Sequence, residues 1–478
     1  MNYSRRDFLR LAGSAAGGLV LSTGMLSAQR KGGDKVNIAL IGYGAEGEVL
    51  TNSLVKLPYI NFVAVCDIRE AKCNQVALRL MKECKQAPAR YTISLSKKDR
   101  LAPLVKKGRA GEIKGENFED LIKNHAKELD AVVIATPDFW HSPMTVAFLE
   151  AGVNVYCEKM MSDTLEGAKK MVRAARKSGK LLQIGHQRTS NPRYIYARDV
   201  LLRKQNICGN IMACNGQWNR AVSIDFVPAK GSEIPADKLK KYGYKDMHQL
   251  LNWRWCKGLG GGAISDLGAH QIDIFGWMLG AHPSRVYASG SRDYYKKADG
   301  TPAHDWDDNV MCIFEFDKSF QGKKVQAFYQ VLTTTSSGGG YYESFMGDNG
   351  TLKMSENPAI TKLFRENNAP KWDDLIKQGI IGTGDEAAAA SVKVADSRES
   401  KALVGYGFPA KIEGYEPDTS KKPIHMYHVE NFFNAVMGKA KLNCDAEHAF
   451  AAEAAVFKAR DAIEKGPLEF SESDFIVS

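Results

Sequence analysis

The stretch from Val36 to Asp67 constrains the fold of this chain more than any other. Val36–Ile41 is typical of a buried strand, and the glycine turn Gly42-Tyr-Gly-Ala-Glu-Gly47 follows it directly. A helix pattern continues from the turn, and a second apolar strand ends at Asp67, 20 residues after Gly47. This order of strand, glycine turn, helix and acid predicts a parallel α/β unit that binds a dinucleotide, with its pyrophosphate at the helix N-terminus.

The acid at the end of the second strand bears on the identity of the cofactor. Asp67 would bind the ribose hydroxyls and repel a 2′-phosphate, which favours NAD. Arg69, two residues further on, leaves NADP as an alternative. The cofactor contacts predicted from this unit are Gly42, Tyr43, Gly44, Ala45, Glu46, Gly47, Asp67 and Ile68.

The α/β rhythm continues after a basic stretch at residues 92–116, which we expect to be a surface insertion. Apolar strands are predicted at residues 131–135 and 153–157, and polar turns follow both. Ligands of an open parallel sheet bind at the carboxyl ends of its strands. Lys159 in the second turn can therefore polarise a substrate hydroxyl, although a lysine there is also typical of a helix-flanking surface position. The further cofactor contacts predicted here are Thr136, Pro137, Trp140, His141, Glu158, Lys159 and Gln187.

A second distinctive stretch runs from Gly260 to Asp273. Three glycines lead into a predicted helix on which Asp266 and His270 are four residues apart. Residues at this spacing share one face of an α-helix, and a carboxylate beside an imidazole can orient a general base. We therefore predict a catalytic Asp266–His270 pair. The alternative from spacing alone is an ordinary polar pair on a solvated face.

The N-terminus carries a predicted export signal. Ser4-Arg5-Arg6-Asp7-Phe8-Leu9 precedes a short, weakly apolar run, which indicates a twin-arginine signal over residues 1–28. The run is too short and too rich in glycine for a membrane-spanning helix, so we expect no stable membrane insertion after signal removal. An uncleaved, membrane-retained N-terminus is the alternative. A periplasmic protein exported in the folded state would acquire its cofactor before export.

Charge and cysteine content exclude some classes of function. The formal net charge of +10 is spread over Lys/Glu mixtures, so we expect no nucleic-acid partner. The nine cysteines show no C-x-x-C motif, which favours buried thiols over a disulfide framework and predicts no metal site.

Five motifs occur here in an order and approximate spacing that resemble the Gfo/Idh/MocA oxidoreductase family. They are the glycine turn, the turn Ala135-Thr-Pro-Asp-Phe-Trp-His141, Glu158-Lys159, Gly185-His-Gln-Arg188 and the Asp266–His270 pair. The resemblance covers residues 35–350 well and the remainder more loosely. It implies a Rossmann domain at residues 35–186 and an α/β domain at residues 187–478 with a large open, mainly antiparallel sheet. That second domain would bind substrate and form a homodimer or homotetramer.

The resemblance also implies roles for single residues. Lys159, Asp266 and His270 correspond to the family's catalytic trio. Arg188 and Tyr194 lie where the family commonly contacts substrate, and the indole of Trp253 beside Arg254 suits a sugar ring. The predicted substrate contacts are Arg188, Tyr194, Trp253, Arg254, Asp266 and His270. The family usually has Glu-Lys-Pro where this chain has Met160, so either the family's cis peptide is kept or the lysine loop differs in shape.

The C-terminal part shows strand patterns at Val310–Phe316 and Val325–Leu332 and a hairpin signal at Gly347-Asp-Asn-Gly350. Residues 355–422 are polar and are expected to form a long insertion. Two helices are predicted at residues 426–436 and 446–464, packing back on the Rossmann domain, with Asp445 as a helix cap.

The predicted function is reversible hydride transfer between a secondary hydroxyl of a sugar or glycoside and a tightly bound NAD, with NADP possible. His270 would take the hydroxyl proton, Asp266 would orient His270, and Lys159 would stabilise the developing alkoxide. One alternative is an NAD-dependent glycosidase that uses transient oxidation and elimination. Such relatives usually carry Tyr-Pro-Thr-His-Gly where this chain has Asp266-Leu-Gly-Ala-His270, which favours the dehydrogenase. The other alternative is a non-catalytic periplasmic sugar-binding protein.

Overall fold

The computed structural model describes residues 35–94, 104–105, 110–338, 340–385 and 405–478. The predicted export signal, most of the basic stretch at 92–116 and residues 386–404 of the predicted insertion lie outside the described residues. None of the described helices is long and apolar enough to cross a membrane.

The first sheet has seven strands, all parallel, and confirms the predicted Rossmann-type architecture. The strands are β1 (Val36–Ile41), β2 (Ile60–Arg69), β3 (Ala89–Ile93), β4 (Ile113–Gly115), β5 (Ala131–Ile134), β6 (Asn154–Cys157) and β7 (Leu182–Ile184). Their order is β4-β3-β2-β1-β5-β6-β7. The chain therefore reverses direction across the sheet between β1 and β5, and ligands bind in the crevice at such a switch point.

The described helices that connect these strands follow the sequence patterns closely. They are α1 (Ala45–Leu54), α2 (Glu70–Cys84), α3 (Phe118–His125), α4 (Asp138–Glu150) and α5 (Leu165–Ser178). Helix α4 begins at Asp138, within the turn that follows β5. Pro137 takes the extended N-cap position and Asp138 places a carboxylate in the first turn, both of which favour a helix start.

The second sheet has ten strands, and its mainly antiparallel pairing confirms the predicted fold class. The strands are β8 (Ile211–Asn219), β9 (Arg285–Ser291), β10 (Asn309–Phe316), β11 (Val325–Leu332), β12 (Tyr341–Gly347), β13 (Gly350–Met354), β14 (Lys362–Arg365), β15 (Gly384–Asp385), β16 (Gly405–Tyr406) and β17 (Leu468–Glu469). Their order is β15-β16-β14-β13-β12-β8-β11-β10-β9-β17, with only β8 and β11 parallel among these pairs. The predicted hairpin at Gly347 joins β12 to β13.

Within residues 355–422, where the sequence predicts an insertion, the short strands β14, β15 and β16 extend the sheet. Strands of two to four residues pair through the main chain, so their polar composition gives no alternating pattern to read.

The second domain contributes seven α-helices among the described residues. They are α6 (Pro192–Tyr196), α7 (Ala236–Lys241), α8 (Met247–Leu251), α9 (Ala269–Leu279), α10 (Asp373–Lys377), α11 (Ile424–Val436) and α12 (Ala446–Lys465). Helix α9 packs on the sheet through Phe275, opposite Gly216, where a Cβ would lie 2.7 Å from the phenyl ring. Helix α11 places Phe432 and Phe433 in the same apolar cluster as Leu50 of α1.

Candidate active site

The glycine turn between β1 and α1 has the shape that a bound dinucleotide requires. Gly42 has φ +86°, and a Cβ there would lie 2.3 Å from the carbonyl oxygen of Ala135. A Cβ on Gly47 would lie 2.2 Å from the carbonyl oxygen of Gly42, so α1 packs tightly on the turn. At Gly44 the nearest neighbour is 3.9 Å away, and no side chain caps α1. The first N–H groups of α1 are thus left for an anion, and the residues present fit the pyrophosphate of NAD.

Asp67 is held in place at the end of β2. Its Oδ2 accepts a hydrogen bond from the main-chain N–H of Tyr43 at 2.8 Å, and its Oδ1 accepts one from the N–H of Arg69 at 2.9 Å. The Arg69 guanidinium also pairs with Asp67, with Nε 3.3 Å from Oδ1. Tyr43 buries its ring in the core and offers only its main chain to a cofactor. Ile68 is half-buried and Ala45 is exposed.

Two carboxylates meet beside the glycine turn. Burial, with Glu46 nearby, raises the pKa of Glu158 to about 8. Oε1 of Glu158 accepts a hydrogen bond from the Tyr156 hydroxyl at 2.9 Å. Oε1 of Glu46 lies 3.5 Å from Nε2 of His425, which α11 contributes. The C-terminal part of the chain therefore reaches the predicted cofactor site.

Lys159 and Asp266 come together across the two domains. Nζ of Lys159 donates a hydrogen bond to the main-chain oxygen of Asp266 and lies 3.5 Å from its Oδ1. Oδ1 of Asp266 also accepts a hydrogen bond from Nε of Arg254 at 3.1 Å. Burial alone would raise the pKa of Asp266, but Arg254 and Lys159 outweigh it and hold that pKa below its usual range. The Lys159–Met160 peptide bond is cis, so the first of the two predicted loop shapes is the one observed.

His270 does not form the predicted pair with Asp266. Its Nδ1 is buried and has no hydrogen-bond partner among the described residues, and its ring lies 5.6 Å from that of Trp218. Residues Ile264–Gly268 form a π-helical turn, which carries more residues per turn than an α-helix, so residues four apart are not stacked. The carboxylate of Asp266 instead faces Arg254 and Lys159. Burial lowers the pKa of His270 well below its usual value, and the charge of Lys159 adds to the effect. The ring is therefore a neutral base at neutral pH.

The turn after β5 contributes positioning contacts and one acid that the sequence prediction missed. His141 is buried, with Nδ1 2.6 Å from the Met160 oxygen and Nε2 2.7 Å from the Thr136 oxygen. It thus links the two turns. Burial raises the pKa of Asp138 well above its usual value, although Lys159 opposes the shift. A carboxylate directly after a parallel strand was the available signal for Asp138.

The remaining predicted contacts of this turn and of the next differ in exposure. Thr136 and Pro137 are half-buried at the strand end. Trp140 is half-buried and donates from Nε1 to the Tyr242 oxygen at 3.3 Å. Gln187 is buried in a 3-10 turn, Gln187–Ser190.

Arg188 and Tyr194, which are predicted to contact substrate, are both buried and lie in an ion-pair cluster. Arg188 is 1% exposed and pairs with Glu343 and with Glu356, whose Oε2 lies 3.2 Å from Nη2. Tyr194 is fully buried and donates to Oε2 of Glu343 at 3.0 Å. Glu343 lies in β12 and Glu356 follows β13, 155 and 168 positions after Arg188. No sequence pattern indicates ion pairs between residues so far apart.

Arg188 contacts the aromatic ring of Trp218, which lies next to His270. Its guanidinium lies 5.7 Å from the Trp218 ring, and Trp218 stacks on Tyr341 at 4.6 Å. Trp218 in turn packs beside His270. Trp253, by contrast, is half-buried, and the Arg254 guanidinium lies 4.4 Å from its ring. Trp253 and Arg254 remain candidates for direct substrate contact.

Helix α12 supplies a further buried acid. Glu453 accepts from the main-chain N–H of Met161 at 2.7 Å and lies 3.1 Å from Nε2 of His186. Through Met161, Glu453 holds the loop that carries Lys159. A glutamate amid the apolar positions Ala449, Phe450 and Phe457 of an otherwise buried helix face was the available signal. No group of His, Cys, Asp and Glu side chains within the described ranges suits a metal ion.

Comparison with known proteins agrees with this architecture. Residues 36–186 match an oxidoreductase family model with an NAD-binding Rossmann fold (Gfo/Idh/MocA), and residues 240–353 match the C-terminal domain model of the same family. A glycosyl hydrolase family 109 protein of Parabacteroides distasonis is 32% identical over 259 residues, covering 48% of this chain and 50% of the relative. One of Shewanella baltica (strain OS185) is 27% identical over 197 residues, covering 37% of this chain and 38% of the relative. The matches thus span half or less of the length of these curated relatives.

Solved structures share the fold over nearly the whole chain. Levoglucosan dehydrogenase in complex with NADH aligns with TM-score 0.61 at 15% identity, covering 92% of this chain and 100% of that one. An oxidoreductase domain protein from Kribbella flavida aligns with TM-score 0.62 at 16% identity, with the same coverage. At these identities the likeness shows the fold alone.

Proposed function

The chain belongs to the Gfo/Idh/MocA family of NAD-binding oxidoreductases, and we propose that it transfers a hydride between a sugar or glycoside hydroxyl and NAD. The observation that carries this proposal is the meeting of Lys159 from the first sheet with Asp266 and Arg254 from the second domain, beside the neutral base His270. When bound, NAD supplies the hydride acceptor.

The side chains of the cleft divide the proton chemistry among them. His270 accepts the hydroxyl proton as the alcohol becomes a ketone, because its ring is uncharged at neutral pH. Lys159 donates a hydrogen bond to the oxygen on which negative charge develops. Asp266 keeps the Lys159 ammonium and the Arg254 guanidinium in place, rather than orienting His270.

A sugar or glycoside is the substrate class that these side chains fit. Trp253 offers an apolar face and Arg254 offers donors, which together suit a ring with C–H faces and hydroxyls. The names of the relatives, a levoglucosan dehydrogenase among them, support the same class. Oxidation of an intact glycoside to a ketoglycoside fits this site as well as oxidation of a free sugar.

The test is to add a panel of glycosides and sugars to the purified protein with NAD and follow the nicotinamide absorbance. A rise at the NADH band with a keto product supports the proposal. A protein that binds sugar but shows no redox change is a non-catalytic binder, and the proposal is then wrong.

A glycosidase that oxidises its substrate transiently is the second candidate, because relatives 27% and 32% identical are glycosyl hydrolase family 109 proteins. Elimination needs an acid besides the base, and Asp138 is a buried carboxyl near Lys159 whose pKa burial raises well above its usual value. Release of free sugar without accumulated keto product would favour this candidate.

The proposed location is the periplasm, on the basis of the twin-arginine pattern in residues 1–28. A protein exported in folded form would carry NAD, or NADP, held tightly and reoxidised in place by a second ketone or sugar. The open face of the ten-stranded sheet would form a homodimer or homotetramer. Mass and absorbance measurements on the protein purified from the periplasm test the number of subunits and the bound nucleotide. A nucleotide-free protein contradicts tight binding.

A further inference from the structure

Two buried histidines, His186 and His270, pack edge to face at the candidate active site. Nδ1 of His270 and Nδ1 of His186 both lie out of solvent without a hydrogen-bond partner among the described residues. The two rings are 6.4 Å apart and nearly perpendicular. Buried polar atoms are rarely left unsatisfied, and a buried water is a usual partner for such atoms.

His186 lies between two carboxylates. Its Nε2 is 3.1 Å from Oε1 of Glu453, and its Nδ1 is 3.7 Å from Oδ2 of Asp273. A proton that arrived on Nδ1 would make an imidazolium flanked by the Asp273 carboxylate and by Glu453. Asp273 then continues the polar path, because its Oδ1 lies 2.8 Å from Nε2 of His448 on α12.

His448 is the point at which this path meets solvent. The Asp273 side chain is 2% exposed and that of His448 is 29% exposed. Both line a cavity of about 550 Å³ bounded by α9, α12 and the C-terminal turn, with Trp277 and Phe475 in its walls. His270 does not line this cavity. The polar chain therefore runs from the candidate base through the protein to a separate opening.

We propose that His186, Asp273 and His448 conduct the substrate proton from His270 to this cavity. The inference rests on the proposed function, since it requires His270 to collect a hydroxyl proton. His270 accepts the proton on one ring nitrogen and releases the Nδ1 proton through a water to Nδ1 of His186. Nδ1 of His186 passes that proton on to Oδ2 of Asp273. The protonated Asp273 donates to Nε2 of His448 in the tautomer that carries its hydrogen on Nδ1, and Nδ1 of His448 releases that hydrogen as a proton to solvent. No electrons move in these steps, and one proton leaves for each hydroxyl oxidised.

The charges around the path suit proton transfer. Burial would lower the pKa of His448, but Asp273 raises it above its usual value, against the repulsion of Arg198. Burial would raise the pKa of Asp273, but His448, His186 and Arg188 hold it down. Glu453 and Cys444 also face the buried end, and the pKa of His428 beside it is lowered to about 3 by burial. His428 is therefore neutral and does not compete for the proton.

A purely structural role is the rival explanation, because the same contacts join α9 to α12. Proton exchange separates the two, and it can be followed without substrate. In full-length protein labelled with ¹⁵N-histidine, NMR magnetisation transfer from water gives the exchange rates of the His186 and His270 N–H groups. We expect His448→Asn to slow exchange about tenfold. The matched control is His282→Asn, since His282 lines the same cavity but stacks on Phe475 and has no contact with Asp273.

The comparison between the two variants decides the outcome. A slowing at least fivefold greater in His448→Asn than in His282→Asn supports the path, and any smaller difference overturns it. Added imidazole, which the cavity can admit, should restore exchange in His448→Asn, and a merely destabilised protein would not respond in this way.

Turnover provides the second measurement. With a substrate that the native protein oxidises, His448→Asn should lower kcat about tenfold, leave KM unchanged and increase the solvent deuterium isotope effect. An absence of turnover in the native protein would contradict the proposed function, whereas the exchange rates would still decide whether the path exists.

Discussion

Nζ of Lys159 lies 3.5 Å from Oδ1 of Asp266, so one ion pair joins the loop after β6 of the parallel sheet to the second domain. The two side chains are only 13% and 15% exposed, and Arg254 shares the same carboxylate oxygen. Removal of one member of a desolvated charge group leaves the others unpaired. The two domains are therefore coupled electrostatically at the point where the chemistry is proposed to occur.

Replacement of His270 by Gln should lower the rate of nicotinamide reduction by about 10²- to 10⁴-fold, because glutamine keeps the volume but cannot accept the proton. Stopped-flow absorbance measures the rate, and the dissociation constant of NAD, which should not change, is the control. In the native protein the low pKa of His270 keeps the ring neutral, so this group should cause no loss of rate between pH 8 and 6.5. A near-normal rate in His270→Gln would show that the base is another residue.

Alanine at Gly44 should weaken NAD binding, whereas alanine at Gly47 should lower the stability of the fold. A Cβ at Gly44 meets nothing nearer than 3.9 Å, so Gly44→Ala should keep the stability within about 0.5 kcal/mol but weaken NAD binding at least tenfold. A Cβ at Gly47 meets a main-chain oxygen at 2.2 Å, so Gly47→Ala should lower the free energy of unfolding by about 1–3 kcal/mol. Urea unfolding and fluorescence titration with NAD measure the two quantities. Normal NAD binding by Gly44→Ala would contradict the placement of the pyrophosphate.

Replacement of Asp67 by Ser should shift cofactor preference toward NADP. The carboxylate that repels a 2′-phosphate is removed, and Arg69, now without its partner at 3.3 Å, can bind that phosphate. We expect the ratio of the NAD and NADP dissociation constants to move at least tenfold toward NADP, as measured by fluorescence titration of both nucleotides. The double variant Asp67→Ser/Arg69→Ala should lose this gain, and equal ratios in the native protein and both variants would exclude the assigned role.

Glu158 should make the cofactor-free protein less stable as pH rises. Burial, with Glu46 nearby, raises the pKa of Glu158 to about 8 from an ordinary 4.5, so the folded state binds more protons than the unfolded state between these values. Stability is then lost as pH rises through that window. Glu158→Gln should reduce the difference in free energy of unfolding between pH 5 and pH 9, as measured by urea titration. Glu48→Gln, at an exposed position in α1, is the matched control and should keep the native difference.

Replacement of Arg188 by Met should destabilise the fold, because it leaves Glu343 and Glu356 buried without their cation. We expect a loss of about 3–5 kcal/mol in the free energy of unfolding at pH 8. Burial raises the pKa of Glu343 to about 7, so the loss should become smaller as the pH falls and the carboxyl takes a proton. Arg203→Met, which removes an exposed arginine, should have little effect in the same urea titrations. A loss that does not depend on pH would point to packing rather than charge.

The sequence predicts the parts of the site that depend on local patterns. The glycine turn and Asp67 are predicted from a strand, a turn and a second strand within about 30 residues, and in the structure Gly42 has a positive φ and Asp67 accepts a hydrogen bond from the turn. Lys159 is predictable for the same reason, since it follows a parallel strand. These features need only the rule that ligands bind at the carboxyl ends of such strands.

The rest depends on contacts between distant parts of the chain. Arg188 is of a residue type that often binds substrate. Only the fold shows that it forms an ion pair with Glu343, 155 positions away. The predicted Asp266–His270 pair failed because the intervening turn is π-helical, which propensity does not reveal. Glu453 is joined to Met161 over 292 positions, a separation at which no sequence pattern operates.

The bond between Glu453 and the loop after Lys159 has a consequence for synthesis. The nucleotide-binding sheet is complete by Ile184, but the residue that braces the lysine loop belongs to α12, near the end of the chain. A growing chain that still lacks residues 446–465 has no Glu453 to brace its lysine loop. The loop that carries Lys159 therefore gains this contact only when nearly the whole chain has been made.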